Sequence, residues 1–508
     1  MAEPLFRKLL VANRGEIALR VVRGARDLGI PTVAVHSDVD ADLPHVRLAD
    51  EAYCLGPAPA SESYLNIERI LDVAAQSGAD AVHPGYGFLS ENADFVRACE
   101  DAGLTFVGPP AAAMDQMGNK IASRRSMQAA GVPIVPGTID PVTTLAEARV
   151  AAEEAGYPVI VKAAAGGGGK GIRAVSSPEA MERAMRNAQE EAIASFGDGA
   201  VFVEKLLRPA RHIEVQVIVD AEGNVVTLGE RECSLQRRRQ KLIEEAPSVV
   251  VSAELRARLE AAATKAVEAC GYRNAGTVEF LVYGENHDEV AFLEVNARLQ
   301  VEHPVTELVR GVDLVRDQLR VAAGAPLGYT SAERPIQGWA MECRITAEDP
   351  YNGFLPAVGP IHHYREPSGP GVRVDGMLHP GMGVSVHYDS LLAKLITWGE
   401  DRAQCIARMR RALQEFQVTG VHTTIPFHLA MLEDANFLRG AFDTDYVEES
   451  FAMPGREAGD SDRLAALAAA AYFQSAGERD LQLGSGMLGG WAGQSRTLRS
   501  PADVGWRR

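Results

Sequence analysis

One short segment carries five chemically useful side chains, at every second position. They are Glu294, Asn296, Arg298, Gln300 and Glu302, and the residues between them are apolar. Because alternate side chains of an extended chain point to opposite faces, at least the first half should be a strand with one functional face. Carboxylates bind divalent cations, and guanidinium and amide groups bind oxyanions. These residue types favour a site over a merely solvated strand face.

A second carboxylate is expected beside this segment. The runs Thr277–Tyr283 and Val290–Val295 predict a β-hairpin that sets Glu279 and Glu294 on adjacent strands. Paired carboxylates can share a Mg²⁺ ion that also touches nucleotide phosphates. The hairpin therefore predicts a metal site.

A glycine-rich loop, Gly166–Gly171, lies between a predicted strand, Val159–Ala163, and a helix that begins at Pro178. The amides of such a loop can close over phosphates, and Lys162 stands on the strand before it. A flexible linker is the alternative interpretation. The loop is not a Walker A motif, because Gly171 follows the lysine where Ser or Thr is required.

Two basic features stay ambiguous from local sequence. The run Gln236–Lys241 is the only dense basic stretch, and a solvated loop is the alternative to a site. If the run faces the carboxylates, Lys241 becomes a candidate anion ligand. Arg344 lies on the polar side of a predicted strand, Trp339–Ile345, and nothing local distinguishes it from a solvated arginine.

Composition excludes several classes of protein. The 508-residue chain has a formal net charge of −17 and a pI near 5.3, which argues against nucleic acid as the main partner. No apolar run approaches the length of a membrane span, and the amino terminus does not resemble a signal peptide. Six scattered cysteines without CxxC pairing indicate reduced thiols in the cytoplasm.

The element pattern predicts α/β and α+β architecture. Strands alternate with helices from Lys8 to Val107, which predicts a parallel sheet with crossover helices. The first turn, Asn13–Glu16, lacks the GxGxxG fingerprint of dinucleotide binding. The predicted regions are an α/β domain at 1–114, a central domain at 115–334, a β-rich domain at 335–449, and a loosely ordered or docking tail at 450–508.

With these residues assembled, the chain resembles the biotin carboxylase family of ATP-grasp enzymes over residues 5–449. Long motifs carry the resemblance: VANRGEIALR at 11–20, HPGYGFLSEN at 83–92, the glycine loop, residues 230–246, and EVNARLQVEHPVT at 294–306. The family has an α/β N-terminal domain, a central ATP-grasp domain with a glycine-rich mobile lid, which would span about residues 135–205 here, and a β-rich C-terminal domain. That plan agrees with the pattern of predicted elements.

The resemblance implies a role for each matching position. ATP would contact Lys120, Lys162, Gly166, Gly167, Gly168, Gly169, Glu204, Lys205, Leu207, His212, Gln236 and Arg239. Mg²⁺ or Mn²⁺ would bind Glu279, Glu294 and Asn296, and bicarbonate would bind Lys241, Arg298, Gln300 and the Val301 backbone. The catalytic set would be Glu302 as general base with Arg298, Lys241 and Arg344, and biotin would lie near Tyr86, Arg344 and Asp389.

The implied reaction is ATP-dependent carboxylation of biotin by bicarbonate through carboxyphosphate. No Met-Lys-Met biotin acceptor occurs in the sequence, so we expect a separate biotin carboxyl carrier protein to bring biotin and a carboxyltransferase subunit to use the product. The family also implies a homodimer. Arg239 departs from the family, where many members have His. The alternatives are another ATP-grasp ligase, forming carbamoyl or acyl phosphate on an amine, and a non-catalytic scaffold protein.

Overall fold

The computed structural model describes residues 5–163, 173–196, 199–455, 467–468 and 471. The chain divides into two units, Met1–Met453 and Pro454–Arg508. The glycine loop at 166–171 lies outside the described residues. So does most of the helix predicted at Arg463–Phe473, of which residues 467–468 and 471 are helical.

The amino-terminal region is the predicted parallel sheet flanked by helices. Its strand order is β3-β2-β1-β4-β5, and every neighbouring pair is parallel. The strand β3 was missed by the sequence analysis. The elements are β1 Leu9–Val11, α1 Gly15–Asp27, β2 Thr32–Ser37, α2 Pro44–Leu48, β3 Glu51–Gly56, α3 Ile67–Ser77, β4 Ala81–His83, α4 Ala93–Asp101, β5 Thr105–Phe106 and α5 Ala111–Gly118.

The middle region combines a small sheet with long antiparallel strands. A three-stranded sheet of order β7-β6-β8 carries Lys162 and Glu204. The elements are α6 Lys120–Ala129, α7 Leu145–Ala155, β6 Val159–Ala163, β7 Arg173–Val175, α8 Pro178–Phe196, β8 Val201–Lys205, β9 Ala210–Val219, β10 Val225–Arg237, β11 Gln240–Ala246, α9 Ala253–Ala269, β12 Asn274–Tyr283, β13 Glu289–Asn296, α10 His303–Arg310 and α11 Leu314–Ala322.

The last described region is β-rich with one long helix, as predicted. The elements are β14 Trp339–Thr346, β15 Glu348–Asp349, β16 Leu355–Pro356, β17 Gly359–Pro360, β18 His363–Arg365, β19 Val372–Gly376, β20 Gly383–Val384, β21 Leu391–Gly399, α12 Arg402–Glu415, β22 Gln417–Thr419, α13 Ile425–Met431, α14 Ala435–Leu438 and α15 Tyr446–Glu449.

An eight-stranded sheet joins the middle and last regions. Its order is β13-β12-β9-β10-β11-β14-β21-β19, and its neighbouring strands are antiparallel. Strands on both sides of the predicted boundary at residue 334 therefore hydrogen-bond to one another, through β11 and β14. The boundary itself stays a prediction.

The same sheet buries one face and presents polar groups on the other. In β9, Ile213, Val215 and Val217 belong to a buried apolar cluster, and His212 and Glu214 alternate with them. Val278 and Phe280 of β12 join that cluster on either side of Glu279. This alternation aims the polar side chains of neighbouring strands at one surface.

Side-chain caps fix where the predicted helices begin. Asn92 accepts a hydrogen bond from Phe95 N at the start of α4, and Ser252 accepts one from Leu255 N at the start of α9. Among the helices that the structure describes, none has the length and hydropathy required to cross a bilayer.

The loops after β1 and β4 are tied together at the carboxyl edge of the parallel sheet. The Asn13 amide donates to the carbonyl of Pro84 at 2.6 Å and of Tyr86 at 2.8 Å. Gly85 has φ of +63°, and an added Cβ there would lie 2.9 Å from Asn13 Nδ2. This close approach requires glycine and brings Tyr86 toward the polar face of the large sheet.

Candidate active site

Lys241, at the start of β11, lies at the centre of a buried cluster of carboxylates. Its Nζ lies 2.5 Å from Glu214, 3.0 Å from Glu279 and 2.5 Å from Glu302. The alternative of a solvated basic loop is therefore wrong for Lys241. Arg238 and Arg239, at the hairpin tip before it, both have positive φ, as a tight turn between β10 and β11 requires.

Arg231, on strand β10, holds Glu214 of this carboxylate cluster. It is completely buried, donates to Glu214, and also contacts Gln216 at 2.6 Å, with Thr277 and Thr306 each at 3.0 Å. A buried charge persists only where such partners satisfy it. Sequence reasoning missed Glu214 and Arg231. For Glu214 the signal was present in β9, where polar residues alternate with apolar ones.

Glu302 stands at the junction between the loop after β13 and helix α10. Lys241 Nζ lies 2.5 Å from one of its oxygens, and Arg344 donates to the other at 2.8 Å. Burial alone raises the pKa of Glu302, but the charges of Lys241, Arg344 and Arg231 outweigh it and lower the pKa far below the usual range. The carboxylate is thus ionised and held by two cations.

Arg344 is not a solvated strand arginine, the alternative that local sequence left open. It lies on β14, donates to Glu244 at 2.6 Å, and reaches Glu302. Burial raises the pKa of Glu244 to about 7, against the opposing charge of Arg344. Nearby Glu342 is buried, and neither of its carboxylate oxygens has a hydrogen-bond partner among the described residues.

The two predicted metal carboxylates lie directly across the β12–β13 hairpin. Glu279 and Glu294 are register partners, which confirms their predicted placement on adjacent strands. Glu294 is exposed, and no cation pairs with its carboxylate among the residues that the structure describes. Although its surface is accessible to solvent, Glu294 lies in the wall of a recess, where partial desolvation and the charge of Glu279 raise its pKa. A divalent cation would relieve that repulsion, so the residues fit Mg²⁺ or Mn²⁺.

Another combination, His212, Glu214 and Glu279, also brings its ligand atoms within 4.8 Å of one another. Lys241 already lies between two of these carboxylates, and His212 Nε2 lies 3.0 Å from Glu279. A cation at that position would meet the ammonium group, which disfavours it. The Asn296 amide oxygen accepts from Arg298 at 3.0 Å, and its Nδ2 is buried without a partner among the described residues.

Arg298 and Gln300 form a polar ladder beside the two predicted metal carboxylates. Arg298 donates to Gln300 Oε1 at 3.1 Å, and Gln300 donates to Glu279 at 3.2 Å. Glu91, which sequence reasoning missed, accepts from Arg298 Nε and from the Ala297 amide, both at 2.9 Å. The guanidinium plane is fixed by these contacts, as an oxyanion site requires.

The residues predicted to contact ATP occupy several places. Burial, and then the neighbouring charge of Lys162, lower the pKa of Lys120, and two such adjacent cations favour an anion. Glu204 is held by Arg124 and by Lys162 at 2.6 Å. The Lys205 ammonium donates to the carbonyls of Gly156 and Tyr157. Leu207 packs in an apolar cluster, and Gln236 is buried opposite Lys241. Gly166–Gly169 lie outside the described residues.

A pocket of about 710 Å³ unites the predicted metal, bicarbonate and biotin residues. Its lining includes Tyr86, His212, Arg239, Lys241, Glu279, Glu294, Asn296, Arg298, Gln300, Val301, Arg344 and Asp389. The predicted ATP residues Lys120, Lys162, Glu204, Lys205, Leu207 and Gln236 are not among the lining residues. Glu302 is fully buried behind Lys241 and Arg344.

The small lysine-bearing sheet and the carboxylate-bearing hairpin suit ATP phosphates and a divalent cation, and the family matches identify an ADP-forming ATP-grasp ligase. The family described as carbamoyl-phosphate synthase L chain, ATP binding domain, matches residues 119–330. The biotin carboxylase N-terminal and C-terminal domain families match residues 5–114 and 342–449. The chain belongs to the biotin carboxylase family.

Individual relatives are similar in sequence over most of the chain. Biotin carboxylase 1 of Bacillus subtilis is 50% identical over 444 residues, 87% of this chain and 98% of the relative. The 2-oxoglutarate carboxylase small subunit of Hydrogenobacter thermophilus is 46% identical over 445 residues, 88% of this chain and 94% of the relative.

Solved structures are similar in fold over the same share of the chain. The biotin carboxylase domain dimer of Hydrogenobacter thermophilus 2-oxoglutarate carboxylase, in complex with MgADP, ADP and bicarbonate, has a TM-score of 0.83 at 46% identity, over 87% of this chain and 97% of that one. Biotin carboxylase of Campylobacter jejuni, as a β,γ-ATP complex, has a TM-score of 0.84 at 45% identity, over 87% and 98%.

Proposed function

We propose that this protein carboxylates biotin with bicarbonate at the expense of ATP, as one component of a biotin-dependent carboxylase. One arrangement carries the proposal. A buried carboxylate, Glu302, is held between Lys241 and Arg344, beside the paired carboxylates Glu279 and Glu294. It combines a proton acceptor, an anion site and a metal site within one pocket.

In the first step, Lys241, Arg298 and Gln300 hold bicarbonate for attack on the γ-phosphorus of ATP. The bicarbonate oxygen forms the new bond to phosphorus, ADP leaves, and the bicarbonate proton passes to Glu302. Glu279 and Glu294, with Asn296 nearby, would hold Mg²⁺ or Mn²⁺, which would neutralise the charge of the phosphates. Fixing the two reactants in line removes much of the entropy cost.

Bicarbonate binding also activates Glu302. In the free site, Lys241 lies 2.5 Å from Glu302 and stabilises its ionised form, so the carboxylate is a weak base. When the anion takes a share of the Lys241 charge, the basicity of Glu302 rises. The base therefore gains strength when its substrate is present.

In the second step, carboxyphosphate releases CO₂ and inorganic phosphate inside the pocket. The phosphate takes the N1 proton of biotin, and N1 forms the new bond to CO₂. Negative charge develops on the ureido oxygen of biotin, and the Arg344 guanidinium stabilises it. Tyr86 and Asp389, both in the pocket wall, hold the biotin ring.

We further propose that biotin arrives on a separate carrier protein and that a carboxyltransferase partner takes the product. Relatives named as a biotin carboxylase and as the small subunit of a carboxylase support a role as one component of a larger carboxylase. The dimer of the Hydrogenobacter domain supports a homodimer. Six free cysteines fit a reducing compartment such as the cytoplasm.

The test uses the purified protein with MgATP, labelled bicarbonate and a high concentration of free biotin. We expect ADP release that requires bicarbonate, and acid-labile label bound to biotin, both lost in Glu302→Gln. Bicarbonate-dependent ADP release without labelled biotin would restrict the proposal to the first step. The absence of both signals, from protein that is shown to be folded, would refute the proposed function.

A further inference from the structure

Lys394 is a buried cation with no role in the chemistry described so far. It lies on β21, its side chain is fully buried, and it is the direct cross-strand partner of Arg344. Its Nζ donates to the Val301 carbonyl oxygen at 2.8 Å and lies 3.2 Å from Glu16 Oε1. An ammonium group removed from water costs several kcal/mol unless its partners are well placed, so these contacts are specific.

The Val301 carbonyl belongs to the peptide that carries Glu302. A peptide unit is planar, so a hydrogen bond to the carbonyl oxygen of Val301 also restrains the Cα atom of Glu302. The preceding carbonyl, of Gln300, is contacted by His303 Nδ1 at 2.8 Å. Two consecutive carbonyls of the loop are thereby held in place.

The remaining partners of Lys394 anchor it from the other side. Glu16 accepts from the Tyr86 hydroxyl and leaves Oε2 buried without a partner among the described residues. Asp375 lies 3.9 Å from Nζ and is held chiefly by Arg373, at 2.6 and 2.9 Å. Lys394 thus connects the peptide of Glu302 to helix α1 and strand β19.

We propose that Lys394 is a positioning residue for bicarbonate activation, which acts through the Val301 carbonyl on the backbone of Val301 and Glu302. The inference rests on the proposed function. Lys241 and Arg344 hold the Glu302 carboxylate, whereas Lys394 holds the main chain from which it projects. A displacement of this base by about 1 Å is enough to cost about 10² in rate.

The test compares Lys394→Met with Asp375→Asn, a matched change in the same buried cluster that leaves the Val301 contact intact. We expect Lys394→Met to lower kcat/KM for bicarbonate in ADP release by at least about tenfold. The Kd for MgADP, measured by calorimetry, should stay within about twofold, and Asp375→Asn should stay within about threefold of wild type in both measurements.

Three results would overturn the inference: an unchanged kcat/KM for bicarbonate in Lys394→Met, an equal loss in Asp375→Asn, or a parallel loss of MgADP affinity. If Lys394→Met does not fold, Lys394→Gln is judged by the same criteria, since its shorter neutral side chain does not span the distance that Nζ spans. Wild-type protein without bicarbonate-dependent ADP release would instead refute the proposed function.

Discussion

Lys241 Nζ lies 2.5 Å from Glu302 Oε1, although 61 positions separate the two residues in the chain. The lysine lies on β11, just after the β10–β11 turn, and the glutamate precedes helix α10. Under the proposed function, this contact places the anion-binding cation against the proton acceptor. A substrate that carries both a negative charge and an acidic proton, as bicarbonate does, satisfies both groups at once.

Replacement of Glu302 by Gln should remove the proton acceptor while its shape is kept. We expect kcat for bicarbonate-dependent ADP release to fall by about 10²–10⁴, the range for loss of a general base. The matched control is Glu348→Gln in the same pocket, where the carboxylate accepts only from Ser390 Oγ at 2.7 Å among the contacts described. Activity of Glu302→Gln equal to that control would contradict the role.

Replacement of Arg344 by Ala should separate the two half-reactions. Biotin carboxylation should fall by about 10²–10³, as expected for one oxyanion donor, whereas bicarbonate-dependent ADP release should fall far less. Lys241 still holds Glu302 in this variant. Labelled biotin and ADP are measured in the same reaction, and Arg344→Lys, which keeps a cation, should recover part of the carboxylation. Equal loss of both activities would refute the assignment.

Replacement of Glu294 by Gln should weaken metal binding specifically. The expected result is an increase of at least about tenfold in the free Mg²⁺ concentration that gives half-maximal ADP release, because one of two charged ligands is lost. Glu289→Gln, on the same strand and exposed, is the control. An unchanged Mg²⁺ requirement in Glu294→Gln would remove this residue from the metal site.

Glu307 should stabilise the fold through a buried ion network. Arg20 lies 2.8 Å and Arg373 2.7 Å from its two oxygens. Glu307→Gln leaves these buried cations with one fewer counter-charge, and we expect a loss of about 3–5 kcal/mol in the free energy of unfolding in urea at pH 7. Asp94→Asn, in an exposed pair with Arg97, should cost under about 1 kcal/mol.

The same carboxylate predicts how stability changes with pH. Burial alone raises the pKa of Glu307, but Arg20 and Arg373 outweigh it and lower the pKa well below the value of about 4.3 in an unfolded chain. Its contribution is therefore present in full above about pH 4.3 and is lost as the pH falls below it. The free energies of unfolding of wild type and Glu307→Gln, measured in urea, should converge as the solution is acidified. A constant difference down to about pH 3 would contradict this explanation.

Much of the fold followed from local pattern. The alternation of strands and helices predicted the parallel sheet, and the runs around Glu279 and Glu294 predicted their hairpin, because side-chain periodicity reports which face of a strand is buried. Strand β3 was missed. The join of β11 to β14 was also beyond prediction, because pairing of strands about 100 residues apart depends on tertiary packing rather than on local periodicity.

The candidate site, like the fold, was only partly predictable from the sequence. By itself the sequence determined which residue types were available: the alternating carboxylates and amides at 294–302, the basic run, and the family motifs. Only the tertiary structure decided that Lys241 and Arg344 meet at Glu302, that Arg231 and Glu214 support Lys241, that Glu91 holds Arg298, and that Lys394 contacts the Val301 carbonyl. The physical reason is that a charge is solvated or buried according to the distant strands packed beside it, and no local pattern records those neighbours.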